Sequence, residues 1–339
     1  MGSYTIGYWG VRTEAAWGTS LIDDAADTAY WLGLLPASPG AHPWAERQTW
    51  RKVPVPGAEY SQTIYQGPLL PKAQVTVALL DAVPLWYAMG ESANGGAAPF
   101  THALTFRDGS PMPAPPSFTW HRELVDPAGV LTDDRMQTTG LRVESCRVVA
   151  SKDANGGMLT ASLGLVGKQQ DDTIAFSLTN KPAARIASKA PYNFTDLSTK
   201  TLGGNDILGL RGVELYWRRP ITPEWQFRTT GGVNTSNLVY AHTVGDLDGP
   251  YLKLTVEPED FGNIGFHDID AATPALDLSL VFTRAASDTV TFTGTNWHPA
   301  VAHDPIRLPS RVPPVVLEGP LELLTCAVQD SLDGAVHYA

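Results

Sequence analysis

Apolar and polar positions alternate along much of this chain with the period of two that a half-buried strand requires. The clearest stretch is residues 139–168, TGLRVESCRVVASKDANGGMLTASLGLVGK. Residues 141–150 are rich in Val, and residues 158–166 alternate small and large apolar side chains. Between them, residues 152–157 carry Asp, Asn and two Gly, which tolerate positive φ and so reverse a chain at little cost. The pattern predicts a long antiparallel hairpin. In its first strand Leu141 and Val143 share one face, whereas Cys146 and Val148 have the opposite parity. The phase slips near Ser145, so either a bulge there or burial on both faces is expected.

The same reading predicts strands at 59–65, 72–80, 102–107 and 117–124 in the first half of the chain. In the second half it predicts strands at 192–194, 207–216, 225–229, 238–241, 251–256, 276–283, 289–293 and 315–328. A short helix is expected over 81–89. Asp81 caps it, Pro84 falls in the first turn where a missing N–H is harmless, and Gly90 supplies the stop. Leu21, Ala25, Thr28 and Leu32 have helical spacing and predict a second helix over 20–35. Residues 5–19 read as an extended arm, 36–59 as a long Pro-rich loop and 176–190 as a linker.

The halves on either side of that linker echo each other. LELLTCAVQD at 321–330 matches LRVESCRVVA at 141–150, and SNLVY at 236–240 matches SQTIY at 61–65. The helix ending at Gly90 answers the turn-like EPEDFG ending at Gly262, and Phe106 answers Phe282. Their common order points to a tandem duplication, with one unit over 1–175 and the other over 191–339.

Composition narrows the chemistry. The 339 residues are 43% hydrophobic and 17% charged, with 31 Gly and 27 Pro, a balance that favours strands and turns over long helices. The net charge of −11 argues against a protein that grips nucleic acid, though not against one that lets it pass. Two cysteines do not make a disulfide framework. Both lie mid-strand among apolar neighbours and read as buried free thiols. The N-terminal residues lack the apolar core of a signal peptide, and no run is long enough to span a bilayer as a helix.

No catalytic constellation emerges. GxSxG, GxxxxGKS and GxGxxG are absent from the sequence. His298, His303 and Asp304 share a Pro-containing loop, where polarity alone accounts for them better than a metal site. The adjacent pairs Asp23–Asp24 and Asp133–Asp134 read as solvated turns rather than acid–base dyads. No cofactor or metal is expected, and no enzymatic activity. Glu144, Glu214, Asp277 and Glu322 stand in or beside strands, either as ordinary solvent-facing positions or as an anionic surface. The 36–59 loop concentrates Trp44, Arg47, Trp50 and Arg51. It is read either as a surface loop packing its own tryptophans or as a contact to another subunit, because Trp and Arg favour interface centres.

SFTWHREL at 117–124, the hairpin at 139–168, PYNFTD at 191–196 and GVELYW at 212–217 together resemble the tail tube proteins of long-tailed, non-contractile bacteriophages. THALTF at 101–106 and the segment 67–90 stand in the order expected of that family. The resemblance covers most of the chain but rests on strand patterns. It implies a mainly β protein of two tandem β-sandwich or half-barrel tube domains, each with a short flanking helix. It also implies a structural virion protein, assembled in the host cytoplasm, whose stacked rings form the conduit for DNA ejection. The implied partners are other copies of the chain, a tape measure protein inside the tube, and tail terminator and distal tail proteins. DNA would pass the lumen without specific binding, repelled by acidic side chains. Family members with two fused tube domains form trimeric rings of pseudo-sixfold symmetry. The other reading of the residues is an all-β carbohydrate-binding or adhesin module, suggested by the 10 Trp; a hydrolase on an all-β scaffold is a third.

Overall fold

A computed structural model of the chain describes residues 5–18, 33–34, 44–47, 51–54, 62–65, 69–107, 113–125, 131–171, 189–225, 229–230, 233–234, 239–257, 276–301 and 314–331. The protein is mainly β. Strands β1 (Thr5–Thr13), β2 (Gly33–Leu34), β3 (Trp44–Arg47), β4 (Arg51–Pro54), β5 (Gln62–Tyr65) and β6 (Leu69–Ala78) precede helix α1 (Val83–Met89). After it come β7 (Gly90–Gly95), β8 (Phe100–Phe106), β9 (Phe118–Val125), β10 (Leu131–Ser151), β11 (Thr160–Val166) and β12 (Gln169–Asp171). The second half adds β13 (Leu197–Leu202), β14 (Asn205–Asp206), β15 (Leu210–Arg218), β16 (Ile221–Trp225), β17 (Thr229–Thr230), β18 (Val233–Asn234), β19 (Val239–Val244) and β20 (Asp248–Val256). The chain continues through β21 (Leu276–Ala285), β22 (Asp288–Trp297), β23 (Ala300–Val301), β24 (Val315–Pro320) and β25 (Leu323–Asp330).

Two antiparallel sheets dominate. A twelve-stranded sheet runs β2-β6-β11-β10-β15-β20-β24-β23, with β9 and β12 also paired to β10, β1 to β9, and β3 to β6. A seven-stranded sheet runs β14-β13-β21-β22-β25-β8-β7. Their inward side chains share one core. Val148, Leu163, Trp217 and Leu254 come from the larger sheet, and Leu280, Phe292 and Cys326 from the smaller. Strands from the two halves lie side by side: β10 pairs with β15, and β25 pairs with β8.

The hairpin forms as its pattern predicts, and the phase slip is a bulge. The β10–β11 register shifts between Val143 and Ser145, so Glu144 is the extra residue. One added residue reverses the side-chain parity. Leu141 and Val143 before it, and Cys146, Val148 and Ala150 after it, therefore all point into the core, each 2% exposed or less. Opposite the bulge stands Gly164, paired with Ser145, where a Cβ would collide with the Ser145 hydroxyl.

Helix α1 is short and all seven of its residues are buried. Gly90 ends it at φ 101, as its sequence suggests. The start differs in detail. Ala82 is the N-cap residue, and Asp81 instead accepts a hydrogen bond from the Val83 N–H at 3.0 Å.

Other boundaries also move. The 315–328 run is not one strand: it breaks at Leu321 and Glu322 into β24 in the larger sheet and β25 in the smaller. Residues 192–194 form no strand, only a bridge from Asn193 to Met158 and a 3-10 turn, Phe194–Asp196. Asn193 and Asp196 cap that turn reciprocally, which competes with strand pairing. The expected N-terminal arm is strand β1, paired along β9. Strands β3 and β4 lie inside the expected 36–59 loop. The helix expected over 20–35 falls outside the described residues except for Gly33 and Leu34, which are extended and paired to Ala78 and Val77. The expected linker and EPEDFG turn also lie outside them, apart from residues 189, 190 and 257. The matched cysteines occupy different sheets, Cys146 in β10 and Cys326 in β25, while Phe106 and Phe282 lie in the same one.

One packing test follows from the sheet crossing. Gly319 in β24 sits against the chain at His298, and a Cβ there would collide with the His298 carbonyl, a backbone atom that cannot swing away. Gly319→Ala should cost about 1–3 kcal/mol in urea unfolding. Gly212→Ala, whose nearest neighbours would be 3.7 Å away, should change stability by less than about 1 kcal/mol.

Candidate functional site

Polar chemistry among the described residues gathers in three clusters that tie remote segments together, and on two outward sheet faces. The first cluster anchors the segment after β1. The buried Glu14 carboxylate accepts hydrogen bonds from the Gly18 N–H at 2.7 Å, the Thr119 hydroxyl at 2.8 Å and the Gly140 N–H at 2.8 Å. The Trp17 indole N–H donates to the Gly140 carbonyl at 3.0 Å. Lys168 lies 4.6 Å and Arg142 5.2 Å from the Trp17 ring centre, and the His242 ring packs against it at 4.8 Å. Cation–π contact of this kind holds both basic chains against the indole. Gly140 has φ 68, and a Cβ there would meet Trp17 and Lys168, so glycine is required.

Burial and the nearby Arg142 charge lower the His242 pKa to about 4, and burial lowers that of Arg142 to about 10. A cavity of about 660 Å³ opens beside this cluster, with Glu14, Glu91, Arg107 and Arg142 in its lining. Its two carboxylates balance its two guanidinium groups.

In the second cluster His102 of β8 and Asp330 of β25 are buried together, Nε2 to Oδ1 at 3.3 Å. The other ring nitrogen of His102 meets Asn94 of β7 at 2.9 Å. In the third, the Tyr192 hydroxyl donates to Asp288 at 2.6 Å. Arg284 donates to the same carboxylate at 2.6 and 3.0 Å, covers the Tyr192 ring at 4.3 Å, and reaches the Leu80 carbonyl at 3.0 Å and the Ala190 carbonyl. Burial, then the bond to Asp288, raises the Tyr192 pKa. None of these clusters was legible beforehand: their members are separated by up to 228 residues, and no local spacing marks them.

The residues singled out in the sequence take up the following places. Trp44 and Arg47 begin and end β3, paired to Lys72 and Leu69 on the edge of β6. Arg51 starts β4, paired to Tyr65 in a separate ribbon. Trp50 lies outside the described residues, as do the side chains of Trp44, Arg47 and Arg51. The four acidic residues are all engaged. Glu214 receives Arg147 through two bonds of 2.7 and 2.8 Å, and Glu144 receives Arg218 at 3.1 Å. Asp277 accepts the Asn296 N–H at 3.2 Å, and Glu322 accepts the Asn296 side-chain amide. Cys146 and Cys326 are free and buried, and burial raises both thiol pKa values. Each therefore stays protonated and a poor nucleophile. His298 is exposed, while His303 and Asp304 fall outside the described residues.

The two outward faces differ in charge. Along the larger sheet Lys72, Arg147, Arg218 and Lys253 stand outward, the last three against Glu214, Glu144 and Glu318. The smaller sheet is different. In β22, TVTFTGT, Val290, Phe292 and Gly294 are buried, so Thr289, Thr291, Thr293 and Thr295 face outward. No family model matches the chain, and no curated protein matches it as a relative.

His242 gives a pH test. An unfolded chain protonates it below about pH 6.5, whereas the folded protein keeps it neutral until about pH 4. The unfolded state binds more protons in that window, so stability falls as the pH drops through it. Between about pH 7 and about pH 4.5 wild type should lose about 2–3 kcal/mol more unfolding free energy than His242→Gln. Parallel losses in urea titrations would show that His242 is not the group responsible.

Proposed function

We propose that this chain is a tail tube protein: a structural subunit whose rings stack into the conduit for DNA ejection. One observation carries the reading. The sequence blocks that resemble the family are dispersed along the chain but meet around one strand. SFTWHREL supplies β9 and GVELYW lies within β15, and both strands pair directly with β10 of the hairpin. PYNFTD closes over the hairpin's turn: the Leu159 N–H donates to the Tyr192 carbonyl at 2.8 Å and the Asn193 amide donates to the Gly156 carbonyl at 3.1 Å. Assembly needs surfaces that a neighbour can complete. At the ends of the smaller sheet, β7 pairs with β8 alone and β14 with β13 alone among the described strands. Such edges are ready to pair with another copy, and ring closure would remove them.

In this reading the partners are further copies of the chain, a tape measure protein within the tube, and terminator and distal tail proteins at its ends. Trp44, Arg47, Trp50 and Arg51 touch a neighbouring subunit or ring. The carbohydrate-binding alternative needs an exposed aromatic platform. Of the tryptophans whose side chains are described, Trp86, Trp120, Trp217 and Trp297 are buried in the core, and Lys168 and Arg142 lie over the Trp17 ring.

Electron microscopy of the purified protein at high concentration tests the proposal. Regular tubes or stacked rings are expected; monodisperse monomers that bind glycans would overturn it. Two tube domains per chain predict three chains per ring, and a single one predicts six, which a symmetry-relaxed reconstruction reads directly. Replacing Trp50 and Arg51 by Ala should leave a folded monomer, by circular dichroism, that no longer forms tubes. Normal tubes from that variant would remove these residues from the contact.

A further inference from the structure

We infer that the cavity beside the Glu14 cluster binds a small zwitterion of the amino-acid class, with its carboxylate at Arg107 and Arg142 and its ammonium group at Glu91. The site lies within one chain, so the inference stands apart from the assembly reading. At about 660 Å³ the cavity has the size of a small-molecule pocket and room for an amino acid or a dipeptide.

The fold holds the three charged groups in place before any ligand arrives, which lowers the ordering cost of binding. Arg107 directly follows β8. Its N–H donates to the Met89 carbonyl at 3.0 Å, its carbonyl accepts Arg219 at 2.9 Å, and its guanidinium donates to the Ala114 carbonyl at 2.8 Å. Gly90, at φ 101, leaves space for this arrangement: a Cβ there would stand 3.2 Å from the Arg107 Cβ and 3.5 Å from Pro116. Arg142 stands on β10 with its guanidinium 5.2 Å from the Trp17 ring centre. Glu91 is exposed near the start of β7. Ser92, Asn94 and Ser117 add hydroxyl and amide groups to the wall, which suit a peptide bond or a polar side chain.

The charge pattern points to the ligand. Arg142 Nε is buried without a hydrogen-bond partner, an uncommon state because the bond it gave up to water is not replaced. Glu14 does not replace it, since its oxygens accept the Gly18 and Gly140 N–H groups and the Thr119 hydroxyl. Burial lowers the Arg142 pKa to about 10, Glu14 opposes that shift, and the Arg107 charge adds to it. The two guanidinium groups are therefore near enough to repel each other. A carboxylate between them relieves the repulsion and accepts charge-assisted hydrogen bonds. A phosphate dianion would leave the site negative, because Glu14 and Glu91 also line it. A zwitterion leaves it neutral and gives Glu91 a cation to meet.

Calorimetric titration of the full chain with the standard amino acids and with L-alanyl-L-glutamine tests the site. At least one should saturate with a Kd of about 1 mM or tighter. The tightest is then compared with its N-acetylated and C-amidated forms, which each lack one charge and should each bind about tenfold more weakly. In Glu91→Gln the penalty for N-acetylation should disappear, and in Arg142→Gln the penalty for C-amidation. Circular dichroism checks that both variants fold; if Arg142→Gln does not, Arg107→Gln, at an exposed position, takes its place. Absence of saturable binding by every probe overturns the inference. Equal binding of the parent and modified ligands, or variants that keep both penalties, would overturn it as well.

Discussion

The bulge at Glu144 is the constraint on which the rest of the fold depends. Strand β10 pairs with β9, β11, β12 and β15, so its side-chain parity dictates what faces the core across the larger sheet. Without the extra residue, either Leu141 and Val143 or Cys146 and Val148 would stand in solvent. Burying a large aliphatic side chain is worth about 1.5–3 kcal/mol, so the unbulged register would forfeit several kcal/mol. The bulge is also satisfied locally: the Glu144 carbonyl accepts the Arg219 N–H at 2.7 Å, and its carboxylate receives Arg218. A kink in the backbone is thus converted into an attachment point between the two halves of the chain.

That attachment recurs in other chemistry. His102 and Asp330 join the first half to the last strand, and the Arg284–Asp288 pair reaches Leu80, just before the helix, and Ala190 and Tyr192. Groups of this kind hold their bonds in a low-dielectric interior, where a misplaced partner is costly. They specify one arrangement of strands that an apolar core would tolerate in several. Helix α1 lies fully inside this arrangement, and the Trp217 indole N–H donates to its Ala88 carbonyl at 3.3 Å. The same packing that buries the helix therefore orients a core tryptophan.

The surface carboxylates are not all equivalent. Of the four strand carboxylates that read as either solvent-facing positions or an anionic surface, Glu144 and Glu214 are paired with arginines, whereas Asp277 and Glu322 accept amide N–H groups and keep their negative charge. What distinguishes the two outward faces is the presence or absence of cations.

Strand content, the hairpin and its phase slip, and the stop of the helix at Gly90 were legible in the sequence, because each depends on parity or on φ preferences acting over a few residues. Burial of both cysteines was legible for the same reason, as both sit on apolar phases of their strands. Tertiary structure alone decided which strands became neighbours. It sent β24 and β25 into different sheets at the Leu321–Glu322 break, although their residues read as one run. It also brought Glu14 to Gly140, His102 to Asp330, and Glu214 to Arg147. Periodicity records which way a side chain points relative to its own strand. It carries no information on the partner across a sheet, because that partner is selected by long-range packing and by the buried polar groups that only one arrangement satisfies.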